Sequence, residues 1–202
     1  MKIGARSFRR RSALLAAAGI LAVVLTACTG RGGGQLPPSA GFTGQASFGF
    51  DFSCEDSGGI NQQTGKLAIE LSYTDHGTSL IGSSFSIHGI VDKIDPELES
   101  EICIGQNPPP GGNELIFLGR YYLTSSAPAG FPATCPTRET TTTPLCRFEV
   151  IVRDNDMDRA PSTGDYFQIT LSSGTAVTSE LDAATVFYTR GGLLSSGNLT
   201  VD

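Results

Sequence analysis

Four aspartates late in the chain have the spacing of a calcium-binding loop. Counted from the first, they stand at positions 1, 3, 5 and 12 of a twelve-residue stretch: Asp154, Asp156, Asp158 and Asp165. Carboxylate oxygens at these positions are ligands that Ca²⁺ takes in such a loop. Position 6 is Arg159 where the turn needs Gly, and position 12 is Asp where Glu is usual. The alternative is a solvated loop between two strands, and no other cofactor is expected.

Side chains suited to hydrolysis are scarce. The two histidines, His76 and His88, fall in a predicted turn and on the outward face of a predicted strand, so both are expected to be solvated. No Gly-x-Ser-x-Gly elbow is present to activate a serine. Glu97, Glu99 and Glu101 offer carboxylates for glycoside hydrolysis, yet acids that alternate in a loop are typical of a solvated surface. We therefore predict no catalytic residues and no enzymatic activity.

The chain opens with a basic and then an apolar stretch. Arg9, Arg10 and Arg11 precede an apolar run over residues 13–27, which is the layout of a bacterial export signal. The run has about 15 residues, fewer than the roughly 20 that cross a bilayer as a helix, so a transmembrane anchor is not expected. The arginines leave a twin-arginine signal open beside the general secretory one.

The end of that run, Leu25-Thr26-Ala27-Cys28, resembles the lipobox of bacterial lipoproteins, in particular actinobacterial ones. The resemblance implies that residues 1–27 are removed as a signal peptide and that Cys28 receives acyl chains such as palmitate. Each buried CH₂ adds about 0.8 kcal/mol of membrane affinity, so two or three chains hold a protein almost permanently. An ordinary secretory signal is the alternative, but its peptidase prefers an Ala-x-Ala pattern. We expect a protein tethered at the outer face of the cell membrane.

The composition limits the classes of partner. The whole chain has a net charge of −6, and loss of the five basic residues of the signal leaves 9 basic and 20 acidic residues, a net charge of −11. Such a surface repels phosphate backbones, so no nucleic-acid partner is expected. Residues 28–44 are rich in Gly and Pro and predict a flexible linker. Residues 45–202 are enough for a single domain.

Besides Cys28 there are four cysteines: Cys54, Cys103, Cys135 and Cys146. An even number in an exported chain predicts two disulfides, for which three connectivities are open. We favour Cys135 with Cys146, which closes a short loop, and by elimination Cys54 with Cys103. A loop of that size contributes somewhat under about 3 kcal/mol. No pair has the close Cys-x-x-Cys spacing of structural zinc.

Alternation of apolar and polar residues predicts about eight short strands, with no convincing amphipathic helix. The predicted strands are Ala46–Ser53, Lys66–Thr74, Ser84–Asp92, Leu115–Thr124, Arg147–Arg153, Tyr166–Leu171, Ala184–Thr189 and Gly197–Val201. Two irregular insertions separate them, Asp95–Asn113 and Ser125–Leu145. Such a chain is all-β, an antiparallel β-sandwich or barrel-like domain.

The first insertion, Asp95–Asn113, is acidic and Pro-rich, and we predict a loop with one helical turn at Pro96–Glu101. The second, Ser125–Leu145, is predicted to be irregular, with a Thr-rich tip. Between the insertions, the strand from Leu115 is apolar on both faces, which is typical of a strand covered on both sides. The runs before and after the aspartate loop are predicted to pair as a hairpin.

Several strands and turns, taken in order, resemble bacterial post-COAP-1 domains. The matching pieces are Gly44–Phe50, Thr64–Leu67 with Tyr73, Arg153–Asn155, Gly164–Ile169, Gly192 and Gly197–Val201. The resemblance implies a small extracellular β-rich module without catalytic residues, and the two insertions depart from it. We expect a lipid-anchored, non-catalytic module that binds a protein or cell-envelope partner. A carrier of an apolar envelope ligand is the alternative, and a cell-envelope hydrolase ranks last.

Overall fold

The computed structural model describes residues 28–55, 66–78, 81–90, 93–95, 100–101, 113–140, 144–155, 164–176 and 178–201. The described chain is all-β, and nine of its strands form one curled antiparallel sheet. These strands are β1 (Cys28–Leu36), β2 (Ala46–Glu55), β3 (Lys66–Asp75), β4 (Phe85–Ile90), β7 (Glu114–Leu123), β8 (Cys146–Arg153), β9 (Tyr166–Ser172), β10 (Val186–Leu193) and β11 (Ser196–Val201). The predicted antiparallel fold class is confirmed.

The order of strands across the sheet is β10-β9-β8-β7-β4-β3-β2-β1-β11. The last two strands are therefore at opposite edges, although only Leu194 and Ser195 separate them in the chain. The amide of Leu194 donates to the carbonyl of Asp165 next to β9, and the amide of Ser195 donates to the carbonyl of Gln35 in β1, both at 2.9 Å. A two-residue connection can join both edges only because the sheet curls until they approach each other.

The predicted flexible linker is wrong for residues 28–36. This segment is β1, which pairs with β2 on one side and with β11 on the other. Its glycines are the reason, because backbones approach closely here and leave no room for a side chain. A Cβ at Gly32 would lie 2.4 Å from the carbonyl oxygen of Asn198, and one at Gly34 would lie 2.5 Å from that of Ser196. Composition alone does not distinguish a glycine of this kind from one in a mobile linker.

Aromatic side chains from the alternating strands fill the inside of the curl. Phe48 of β2 stacks on Phe167 of β9 with ring centroids 3.7 Å apart. Further along β2, Phe50 and Phe52 both pack against Phe117 of β7. All five rings are buried, and each contributes about 1.5–3 kcal/mol relative to an exposed position. The period of two in the sequence therefore marks the core face correctly.

The two insertions differ in how well they were predicted. At the first, Lys93–Asp95 (β5), which ends on the first residue of the insertion, forms a small antiparallel ladder with Ser100–Glu101 (β6). Ser100 and Glu101 are thus in a strand, which corrects the helical turn predicted to end there, because pairing with β5 satisfies their backbone groups instead. The described part of the second insertion has no regular strand or helix, as predicted, and the disulfide between Cys135 and Cys146 ties it to β8.

Candidate functional site

The outer polar face is a group of side chains on the convex side of β1 to β4: Arg31, Asp51, Glu70, Ser72 and His88. Strand register places them side by side, since Arg31 is opposite Asp51, Asp51 is opposite Glu70, and Ser72 is opposite His88. Alternation explains their direction, because the neighbouring residues in each strand point into the core. The first four are exposed and His88 is half-buried.

Two shallow depressions open on this face and share Asp51. One has a volume of about 230 Å³ and lies between Asp51, Glu70 and His88, where Gly49 has no side chain to fill it. The other, of about 280 Å³, lies between Arg31, Asp51 and Ser53. Both are open to solvent and lined by polar groups as well as carbon. They are suited to hydrogen bonding with a surface group of a partner rather than to enclosing a small molecule.

The charges of the outer polar face are incompletely balanced. Asp51 and Glu70 are directly opposite each other. Like charges in such a cross-strand pair destabilise a sheet by less than about 1 kcal/mol. No ion pair joins Arg31, Asp51 or Glu70 to another residue in the described part of the chain. The carboxylates of the outer polar face are therefore available to a cationic or hydrogen-bond-donating group of a partner. No cluster of three or more His, Cys, Asp or Glu suited to a metal ion occurs among the described residues.

The aspartates of the predicted calcium loop are only partly within the described residues. Asp165 is completely buried, and its two carboxylate oxygens accept hydrogen bonds from the amides of Asn155 at 3.2 Å and Leu199 at 2.9 Å. It thereby links β11 to the neck of the hairpin formed by β8 and β9. Asp154 is also buried, whereas Asp156 and Asp158 lie outside the described residues. Calcium binding by the four stays a prediction.

Three of the cysteines predicted to be modified or paired, Cys28, Cys54 and Cys146, lie in strands of the sheet. Cys28 is the first residue of β1 and is opposite Cys54 of β2 in the strand register. Cys135 and Cys146 form the favoured disulfide, with Cα atoms 5.3 Å apart. Cys103 lies outside the described residues, so its pairing with Cys54 stays a prediction. No helix in the described ranges is long and apolar enough to cross a membrane.

The histidine predicted in a turn has a partner that sequence reasoning missed. Nε2 of His76 lies 2.8 Å from Oγ of Ser47, a distance at which a base can hydrogen-bond a nucleophile. The adjacent Asp75 does not complete a triad, because its carboxylate is buried and binds Arg190 and Tyr188. The pair is exposed on the surface. Ser47 and His76 thus resemble the serine and the general base of a hydrolase, but Asp75 does not act as the acid that orients the base.

A buried polar cluster, also missed, lies inside the curl: Tyr73, Asp75, Tyr188 and Arg190. Nη1 of Arg190 is 2.9 Å from Oδ1 of Asp75, and Oδ2 of Asp75 accepts a hydrogen bond from Tyr188 at 2.8 Å. The hydroxyls of Tyr188 and Tyr73 are 2.5 Å apart. Burial raises the pKa of both tyrosines above their ordinary range, so both remain neutral donors.

Arg190 also joins the edge strand β10 to the other side of the curl. Its Nη2 donates to the carbonyls of Pro37 at 3.0 Å and Gly44 at 2.7 Å, and its guanidinium lies over the ring of Phe42. The cluster therefore links β10 to the opposite side of the curl, where no ladder joins the described strands. Tyr73 and Tyr188, whose hydroxyls are in contact, are 115 residues apart in sequence, so no local signal could have identified the cluster.

Comparison of the chain with protein-family models, with curated proteins and with solved structures found no match.

Proposed function

We propose that this protein is a lipid-anchored extracytoplasmic lipoprotein whose β domain is a non-catalytic binding module, with the outer polar face as its contact surface. The observation that carries this proposal is the exposed, incompletely balanced carboxylate pair Asp51 and Glu70, of which Asp51 lines both open depressions and Glu70 lines one. A protein or cell-envelope partner that presents amino or guanidinium groups has the chemistry to match it. The lipobox-like segment ending at Cys28 and the resemblance to post-COAP-1 modules support the location.

The carrier alternative has less support. A carrier of an apolar envelope ligand needs an internal cavity, whereas buried aromatic rings occupy the interior between the described strands. A hydrolase ranks last, although the contact between Ser47 and His76 is the feature that such an activity would use. The neighbouring Asp75 does not orient the histidine, because its buried carboxylate binds Arg190 and Tyr188. The native protein and its Ser47→Ala variant should therefore both hydrolyse a model ester at the uncatalysed background rate.

The binding proposal is tested by removing the carboxylates without changing their shape. Asp51→Asn with Glu70→Gln should weaken binding to purified cell-envelope fractions of the parent bacterium, because the charge that attracts a cationic group is lost. A matched control is Glu139→Gln with Glu180→Gln, which makes the same change in net charge at exposed positions elsewhere. Equal loss of binding in both double variants would indicate a general charge effect and would contradict a specific site.

Calcium is a further proposal for the aspartate loop. The protein should unfold at a higher temperature in excess calcium than with a chelator, since a ligand at a hundred times its Kd adds about 2.7 kcal/mol. The shift should vanish in an Asp156→Ala, Asp158→Ala variant, which leaves the hydrogen bonds of Asp165 unchanged. An identical melting temperature with calcium and with chelator would leave the segment as a solvated loop.

A further inference from the structure

We infer that the domain lies directly against the bilayer, with the end of the sheet around Cys28 in contact with phospholipid headgroups. The inference rests on the proposed acylation of Cys28 and adds the orientation of the domain. It follows from the position of Cys28 as the first residue of a paired strand. The acyl chains would thus be attached to the sheet itself.

The pairing of β1 leaves no free length between the anchor and the domain. Thr29 is opposite Ser53, and Gly30 is opposite both Phe52 and Val201. A Cβ at Gly30 would lie 2.4 Å from Cδ2 of Leu115, which shows how closely this end of β1 is packed. Because β1 is between two strands, pulling it toward a distant membrane would break ladder hydrogen bonds on both of its sides.

The distance to the membrane distinguishes this arrangement from a flexible tether. A flexible spacer of 17 residues would have an r.m.s. reach of about 20–25 Å. With β1 in the sheet, Ser53 is next to the anchor, whereas Gln35 is seven residues farther along the strand, or about 23 Å at about 3.3 Å per residue. The outer polar face begins only three residues from Cys28, about 10 Å along β1. A partner of the outer polar face would then have to lie at the membrane surface.

Tryptophan fluorescence can measure this orientation, because the native chain contains no Trp. The full-length protein would be produced in a bacterium that acylates it and reconstituted into vesicles of phosphatidylethanolamine and phosphatidylglycerol containing a dansyl-labelled lipid headgroup. Two variants are compared, Ser53→Trp near the anchor and Gln35→Trp far from it. A third carries Ser53→Trp with a flexible Gly/Ser segment of 15 residues inserted between Cys28 and Thr29. Circular dichroism confirms that each variant is folded.

Energy transfer to the headgroup label should be several-fold greater from Ser53→Trp than from Gln35→Trp, and the inserted segment should abolish that difference. Equal transfer from both positions, unaffected by the insertion, would overturn the inference while leaving acylation intact. Mass spectrometry of the N-terminal peptide and flotation with vesicles test acylation separately. An unmodified Cys28 and no flotation would overturn the proposed anchoring as well.

Discussion

The same strand, β3, contributes to two groups of charged side chains with opposite surroundings. Inside the curl, Asp75 binds Arg190 and Tyr188 and is completely buried. On the outside, Glu70 is exposed opposite another acid, Asp51. The buried charges pair with each other and hold distant strands together, whereas the outer carboxylates make no ion pair with the described residues and can bind a partner. Residues that look chemically active are therefore structural on one face and candidates for binding on the other.

Removal of Arg190 should have the largest effect on stability. Arg190→Met leaves Asp75 buried without its counter-ion, which costs about 3–5 kcal/mol when a buried pair loses one member. Urea unfolding measures the loss. The double variant Arg190→Met, Asp75→Leu should recover part of it, because no uncompensated charge remains. A single variant that is no less stable than the double one would contradict a role for charge pairing in this cluster.

Loss of the disulfide should have a slightly smaller effect. Cys135→Ala with Cys146→Ala removes a bridge with a sequence separation of 11 residues, and the free energy of unfolding should fall by somewhat under about 3 kcal/mol. Chemical unfolding with and without a reductant measures this change. Any remaining effect of the reductant on the double variant would report a second disulfide, as predicted for Cys54 with Cys103, while its absence would count against that pairing.

Alkaline pH should destabilise the fold through its buried tyrosines. Burial raises the pKa of Tyr73, Tyr121 and Tyr188, so they stay protonated in the folded protein while unfolded tyrosines ionise near about pH 10. The stability that they contribute is complete below that pH and is lost as the pH rises above it. Tyr121→Phe should reduce the slope of stability against pH above this point, and an unchanged slope would contradict the prediction.

Removal of charge from the outer polar face should have little effect on stability. Asp51→Asn and Glu70→Gln remove one like-charge pair, and surface substitutions of this type stay within about ±0.5 kcal/mol. Thermal unfolding measures the difference. A loss comparable to that of Arg190→Met would mean that these acids support the fold, and the contrast between the two faces of β3 would disappear.

The strands of the sheet were largely predictable, and the reason is local. Alternation along Ala46–Ser53 depends only on which neighbours point inward, a property of consecutive residues. β1 was missed because its glycines serve close backbone packing against β2 and β11, which are distant in sequence. Alternation predicted outward positions for Asp51, Glu70, Ser72 and His88. That these residues form one outer polar face was missed, because they are adjacent only through strand register.

The sequence by itself determined the all-β class, the inward face of the alternating strands and the favoured pairing of Cys135 with Cys146, since these depend on period and short separations. Only the tertiary structure decided that Asp75 is buried beside Arg190 and that Asp165 binds the amide of Leu199. An aspartate reads the same in the sequence whether it lies in a turn, in the core or at a strand edge. Its surroundings are set by segments far away in the chain, which meet when the sheet curls.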